Sequence, residues 1–189
     1  MKQKISIQKI ALIGLMAALV FATSGLRLEI PLPVDKAAVH FGNVMCVLSG
    51  LLLGPLGGLA SGIGSFFYDL TNPLYAPEAF ITFFNKFFIG FVAGLISHSG
   101  GRGGRKHSWN VAGAVAGSVT YVVLYLVKSF ISSQLIFDLT TNSEMMLFLV
   151  PKAVTSLTNG AIACVVAVPL CAALRKGLDG SGLSEKMHI

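Results

Sequence analysis

The chain has 189 residues, of which 54% are hydrophobic and only 12% charged, with a mean hydropathy of +0.77. A soluble domain carries about 25% charged residues to cover its surface, so this composition excludes a water-solvated globule. The formal net charge of +6 follows from the membrane topology below and is not read as nucleic-acid binding.

The apolar residues fall into long runs without the period-two alternation of a barrel, and helices satisfy every backbone amide within one segment. Each crossing of a hydrocarbon core takes about 20 such residues. The predicted fold class is therefore an all-α membrane protein: one transmembrane domain over residues 1–189, with six helices and a basic tail from about residue 175. The first span covers about Ile5 to Ser24 behind Lys2, Lys4 and Lys9. It is long enough to remain as a span, and no small-residue cleavage site follows a short core. A polar segment from Arg27 to Lys36, with Pro31 and Pro33, leads to a second span from about His40 to Leu53. Gly54, Pro55, Gly57 and Gly58 make a tight reversal into a third span ending near Tyr68. Asn72-Pro73 and Pro77 punctuate the next connection, and a fourth span covers about Ala79 to Ser97. Gly100 to Lys106 is a flexible basic loop. A fifth span follows from Trp109 to about Ser132, and a sixth from about Met145 to Leu174, interrupted late by Pro169.

Lysine and arginine in short loops set orientation. With the N-terminus inside, Lys2, Lys4, Lys9, Arg102, Arg105, Lys106, Arg175, Lys176 and Lys186 are cytoplasmic, and the outer loops keep only Arg27 and Lys36. Glu29, Asp35, Asp69, Glu78, Asp138 and Glu144 fall outside, against Asp179 and Glu185 inside. Both termini are expected in the cytoplasm.

Ionisable groups within spans are costly and point to function. Lys86 lies seven residues into a span that starts outside, Lys152 seven past Met145, and Lys128 late in a span that starts inside. His40 and Asn43 share one helical face. Lys152, Thr155 and Asn159 follow at i, i+3 and i+7, again on one face. Asn85 adjoins Lys86, and Tyr68-Asp69 closes the third span at the same level. His40, Asn43, Tyr68, Asn85, Lys86, Lys128, Lys152, Thr155 and Asn159 are thus the candidate binding residues, in the outer half of the bundle. The competing reading for each lysine is a stem along apolar surface with its head at the outer interface. Arg27, Lys36, Lys86, Lys128 and Lys152 stand against six acids, which argues for a neutral or zwitterionic ligand rather than a polyanion. Its ring would stack on Tyr68, Phe66, Phe83 or Phe87, although phenylalanines of the fourth span also read as lipid-facing.

Small residues recur every four positions at Gly14, Ala18 and Ala22, and at Gly50, Gly54, Gly58 and Gly62, the pattern of close helix approach in membranes. Cys46, Cys164 and Cys171 lie in apolar stretches without C-x-x-C spacing and read as small buried hydrophobes. No phosphate-binding loop or metal-ligand cluster occurs, so no cofactor is expected. Ser61 to Ser65, with His40 as base, would suit an intramembrane serine hydrolase, but no acyl-enzyme motif surrounds these serines.

The small-residue first span, the Val39-His-Phe-Gly-Asn-Val44 stretch, Leu51-Leu-Leu-Gly-Pro-Leu-Gly-Gly58, Tyr68-Asp-Leu and Tyr75-Ala-Pro77 resemble the substrate-binding S component of energy-coupling factor (ECF) vitamin transporters, from about residue 8 to 176. The resemblance implies high-affinity capture of a vitamin or precursor from outside. It also implies a transmembrane coupling protein and two cytoplasmic ATPases as partners, with Gly14, Ala18 and Ala22 as the docking face. The loop from Arg27 to Lys36 would be a lid, and the S component would topple in the membrane to release its cargo. Riboflavin, a vitamin B6 or hydroxymethylpyrimidine compound, and cobalamin stay open as ligands. A self-sufficient secondary transporter is the alternative.

Overall fold

A computed structural model describes residues 7–32, 36–139 and 141–182. Lys2, Lys4, Pro33, Asp35, Glu185 and Lys186 of the charge map lie outside the described residues. The elements run α1 (Ile7–Ser24), β1 (Arg27–Pro31), β2 (Lys36–His40), α2 (Gly42–Leu53), α3 (Gly57–Leu70), α4 (Ala79–His98), α5 (His107–Leu135) and α6 (Asn142–Gly180). Among the described residues, five segments are long and apolar enough to cross a membrane: Ile7–Ser24, Gly42–Leu70, Ala76–Gly101, His107–Leu135 and Asn142–Gly180.

The second of these segments folds back on itself. Gly54 takes a left-handed φ of +67°, which a residue without Cβ adopts at no steric cost, and the chain reverses through Gly54–Leu56 into α3. The Ser61 hydroxyl then donates to Cys46 O at 3.2 Å, so α2 and α3 lie antiparallel. This pair is the centre of the molecule: 72% of its most apolar stretch is buried, against 22% to 33% in the other four segments. Small residues allow the approach. A Cβ on Gly94 would stand 2.1 Å from Gly54 O, and one on Gly50 would stand 2.3 Å from Gly90 O. The core around the pair holds Val20, Cys46, Val47, Leu51, Ala60, Ile89, Ala93, Ala163 and Ala167. Large apolar side chains such as Ile7, Phe80, Val119 and Val165 face outward, the inverse of a soluble bundle.

Two expectations are corrected. The segment after α1 is an antiparallel hairpin rather than an irregular loop, with Arg27 paired to His40 and Pro31 to Lys36. The last helix is not interrupted at Pro169: α6 runs unbroken over 39 residues with Pro151 and Pro169 both inside it. Within a bundle, neighbouring helices and side chains take up the backbone groups that proline frees.

Register along α4 explains where space is left. Asn43, in the first turn of α2, meets Lys86, which is the eighth residue of α4, while Gly54 meets His98 at the far end of α4. The first two turns of α4, about 10 Å of rise, therefore have no α2 beside them. The hairpin β1–β2 lies over that gap.

Candidate functional site

The gap is a cavity of about 120 Å³, lined by Ser24, Arg27, Ala37, Ala38, His40, Ser65, Asp69, Tyr75, Thr82, Lys86, Tyr121 and Tyr125. Its roof is the hairpin, which is anchored to α6 by one side chain. Asn159 accepts from His40 N at 2.9 Å and donates from Nδ2 to Ala38 O at 2.7 Å, completing β2 as a third strand would. Asn159 is 1% exposed.

Lys86 forms the floor. Its ammonium donates to Asn43 Oδ1, lies 3.5 Å from His40 Nε2 and sits 4.7 Å from the centroid of the Tyr121 ring. Asn43 and Lys86 are both buried. On α6, Lys152 is 3% exposed, with its ammonium 4.2 Å from the Phe148 centroid and 6.0 Å from that of Tyr125. At the rim, the Arg27 guanidinium lies over two rings, 4.5 Å from the Tyr68 centroid and 4.7 Å from that of Tyr75. The Tyr75 hydroxyl donates to Glu29 at 2.7 Å; burial first, and then this acceptor, push the Tyr75 phenol above its ordinary range.

Around this cavity the polar groups are not fully satisfied. His40 Nδ1, Asn43 Nδ2 and Ser65 Oγ are buried without a hydrogen-bond partner, although buried polar groups are almost always paired. His40 and Ser65 line the cavity and Asn43 holds its lysine, so the three atoms, from three elements, cluster around one polar space.

Of the sequence-based candidates, His40 and Lys86 line the cavity, Asn43 holds Lys86 and Asn159 holds the backbone of Ala38 and His40, while Lys152 is buried outside the lining, near the rings of Phe148 and Tyr125. Thr155 is buried on the same helix, but its hydroxyl is turned back to Pro151 O at 2.9 Å. Tyr68 stands at the rim under Arg27. Lys128 is paired with Glu78 at 2.5 Å, and neither Lys128 nor Asn85 is among the cavity-lining residues. Phe83, Phe87 and Phe91 stack on one another along α4, and a Cβ on Gly58 or Gly62 would touch them from α3. The rings at the cavity are instead Tyr75, Tyr121 and Tyr125. Sequence reasoning passed over Tyr121 and Tyr125, yet they continue the four-residue row of Gly113 and Gly117, the face by which α5 meets Ile89 and Ala93 of α4. Ser61 spends its hydroxyl on Gly57 O and Cys46 O, which leaves it no nucleophile's partner. Gly14, Ala18 and Ala22 form an exposed stripe along α1, opposite the buried face of Met16, Ala17 and Val20.

The comparisons with known proteins agree with this picture. The family model described as "ECF-type riboflavin transporter, S component" matches residues 4–176. A solved structure, "Structure and mechanism of the S component of a bacterial ECF transporter", superposes with a TM-score of 0.60 at 18% identity, covering 90% of this chain and 97% of that one; the likeness is one of fold. A protein of Pyrococcus woesei, described as an uncharacterized protein in a gap 3′ region, is 36% identical over 70 residues, and the match spans 36% of this chain and 46% of that protein, about half its length. By the match over nearly its whole length, the chain belongs to the family of S components of ECF-type riboflavin transporters.

Proposed function

We propose that this chain is the membrane-embedded subunit that captures a small vitamin from outside the cell and hands it to a separate energising module. The observation that carries this reading is the cavity beneath the hairpin, around which three buried polar atoms have no partner and which a family of transporter components would use for cargo. His40, Asn43, Lys86, Lys152 and Asn159 are the recognition residues in this reading. At about 120 Å³ the cavity is below the roughly 300–1,000 Å³ of ordinary ligand pockets, so the hairpin acts as a lid that lifts to admit cargo. Mass spectrometry of the protein purified from its native membrane is expected to find a tightly held heteroaromatic vitamin, riboflavin being the one the family description names. Binding screens against B vitamins that find nothing tighter than micromolar would remove the reading.

The proposed topology has six crossings, with both termini and the basic loop in the cytoplasm. Arg102, Arg105, Lys106 and Lys176 with Lys9 gather at the end remote from the hairpin, in keeping with the positive-inside rule. The exposed stripe Gly14, Ala18 and Ala22 is the face on which a transmembrane coupling protein would dock, with two cytoplasmic ATPases behind it. Vitamin uptake into liposomes is expected only when the whole module is present; flux with this chain alone would favour a self-sufficient transporter instead.

A further inference from the structure

Charge counted over the whole hairpin end comes out slightly acidic, but burial sorts those charges unequally. Glu78 is spent on Lys128, Glu29 accepts from Tyr75, Glu144 closes the capping box of α6 with Thr141, and Asp138 is exposed. What remains at the cavity wall is Arg27 and Lys86 against the single carboxylate Asp69, with the buried Lys152 ammonium 6.0 Å from the centroid of the wall residue Tyr125. The cavity is cationic although the surface around it is not.

Lys86 makes this more than a count. Its hydrogen-bond and ring partners are all neutral: an amide oxygen, an imidazole nitrogen and a ring face. A buried ammonium held by neutral acceptors has its donors occupied, and here one carboxylate, Asp69, stands in the same wall against the two cations Lys86 and Arg27, so a positive charge is left over that an arriving anion would offset. Two of the orphaned atoms, Asn43 Nδ2 and Ser65 Oγ, are hydrogen-bond donors, and oxyanions accept several donors at once.

We propose that the cargo binds as an anion, with a carboxylate or phosphate oxygen ion-paired to Lys86 and accepting from Asn43 Nδ2 and Ser65 Oγ, while its ring lies against Tyr121 and Tyr125. This rests on the cargo-capture reading and narrows it to acidic vitamins or phosphorylated forms. Arg27, stacked between Tyr68 and Tyr75 at the rim, meets the anion first on entry.

The test uses matched neutral and anionic probes on the full chain in lipid nanodiscs: nicotinamide with nicotinate, pyridoxal with pyridoxal 5′-phosphate, and riboflavin with riboflavin 5′-phosphate. In at least one pair the anion is expected to bind ten-fold or more tighter, and whether that pair carries carboxylate or phosphate separates the two sources of the charge. Lys86→Gln should cut that preference by ten-fold or more, and Lys86→Arg should retain most of it. Size-exclusion profiles keep misfolded variants out of the comparison. If the neutral member of a binding pair is held equally or more tightly, or if Lys86→Gln leaves the preference unchanged, the anion inference fails and the cargo-capture reading stands. If no probe of any pair binds, both fall.

Discussion

The two ends of the bundle each bury a cation, and they treat it differently. At the basic-loop end Arg175, 8% exposed, donates from Nη2 to Leu51 O at 2.9 Å and Leu52 O at 3.4 Å. These are the last carbonyls of α2, where free acceptors and the negative end of the helix dipole compensate a positive charge. Its Nε is orphaned, but Arg175 is not among the described residues lining the space at that end, which are Lys9, Ile13, Leu52, Leu53, Leu56, His98 and Gly103. Lys86, equally buried at the hairpin end, meets side chains instead of a helix terminus and looks into open space. Burial of a charge therefore does not by itself mark a binding site. What distinguishes Lys86 is that its surroundings are left incomplete.

That contrast can be broken at its frame. Gly94→Leu, which would drive a side chain into Gly54 O, is expected to separate α2 from α4, collapse both ends together and leave no monodisperse protein on size exclusion. Lys86→Ala or Asn43→Ala should act at one end only. Removing a charged hydrogen-bond partner costs about 1.5–3 kcal/mol, which is roughly ten- to a hundred-fold in cargo affinity, with the melting temperature little changed. Arg175→Ala should do the reverse: about 1–3 kcal/mol of stability lost as the α2 carbonyls lose their donor, read as a lower melting temperature in detergent, with affinity within about two-fold. The smallest effect belongs to the exposed pair Arg105–Asp179 at 2.9 Å. The Asp179 carboxylate holds the Arg105 guanidinium above its ordinary range, yet a solvated pair contributes no more than about 1 kcal/mol. Asp179→Asn should barely move either measurement, and a large shift in affinity there would erase the division between the two ends.

Most helices were legible because lipid imposes length. The predicted fourth span, Ala79 to Ser97, ends one residue short of α4, and the second, ending at Leu53, meets the end of α2. The turn at Gly54 was legible from its glycines and Pro55. The hairpin was not. Its prolines read as a connector, and a two-stranded ribbon is marginal without outside support; that support comes from Asn159, 119 residues away from His40 in sequence. Pro169 misled for a related reason: it breaks an isolated helix, but not one braced on several sides. In the site, helical spacing was enough to group Lys152 with Asn159, but His40 closes β2 instead of opening α2, so it shares no helical face with Asn43 and the two meet through Lys86. Spacing could not show that Lys128 lies within reach of Glu78, nor that Tyr121 points toward Lys86, because both depend on the rotation of α5 against α4.

The clasp by Asn159 also sets a clock. With the hairpin as the proposed lid, the roof is shut while Asn159 holds both Ala38 and His40, and arrival and departure of cargo would wait on the same two bonds. Exchange should then follow the opening rate of the ribbon rather than diffusion. Shortening that clasp's lifetime, as Asn159→Ala would, quickens loading and leakage alike, and a subunit that must keep its passenger until a partner arrives depends on the slower of those rates.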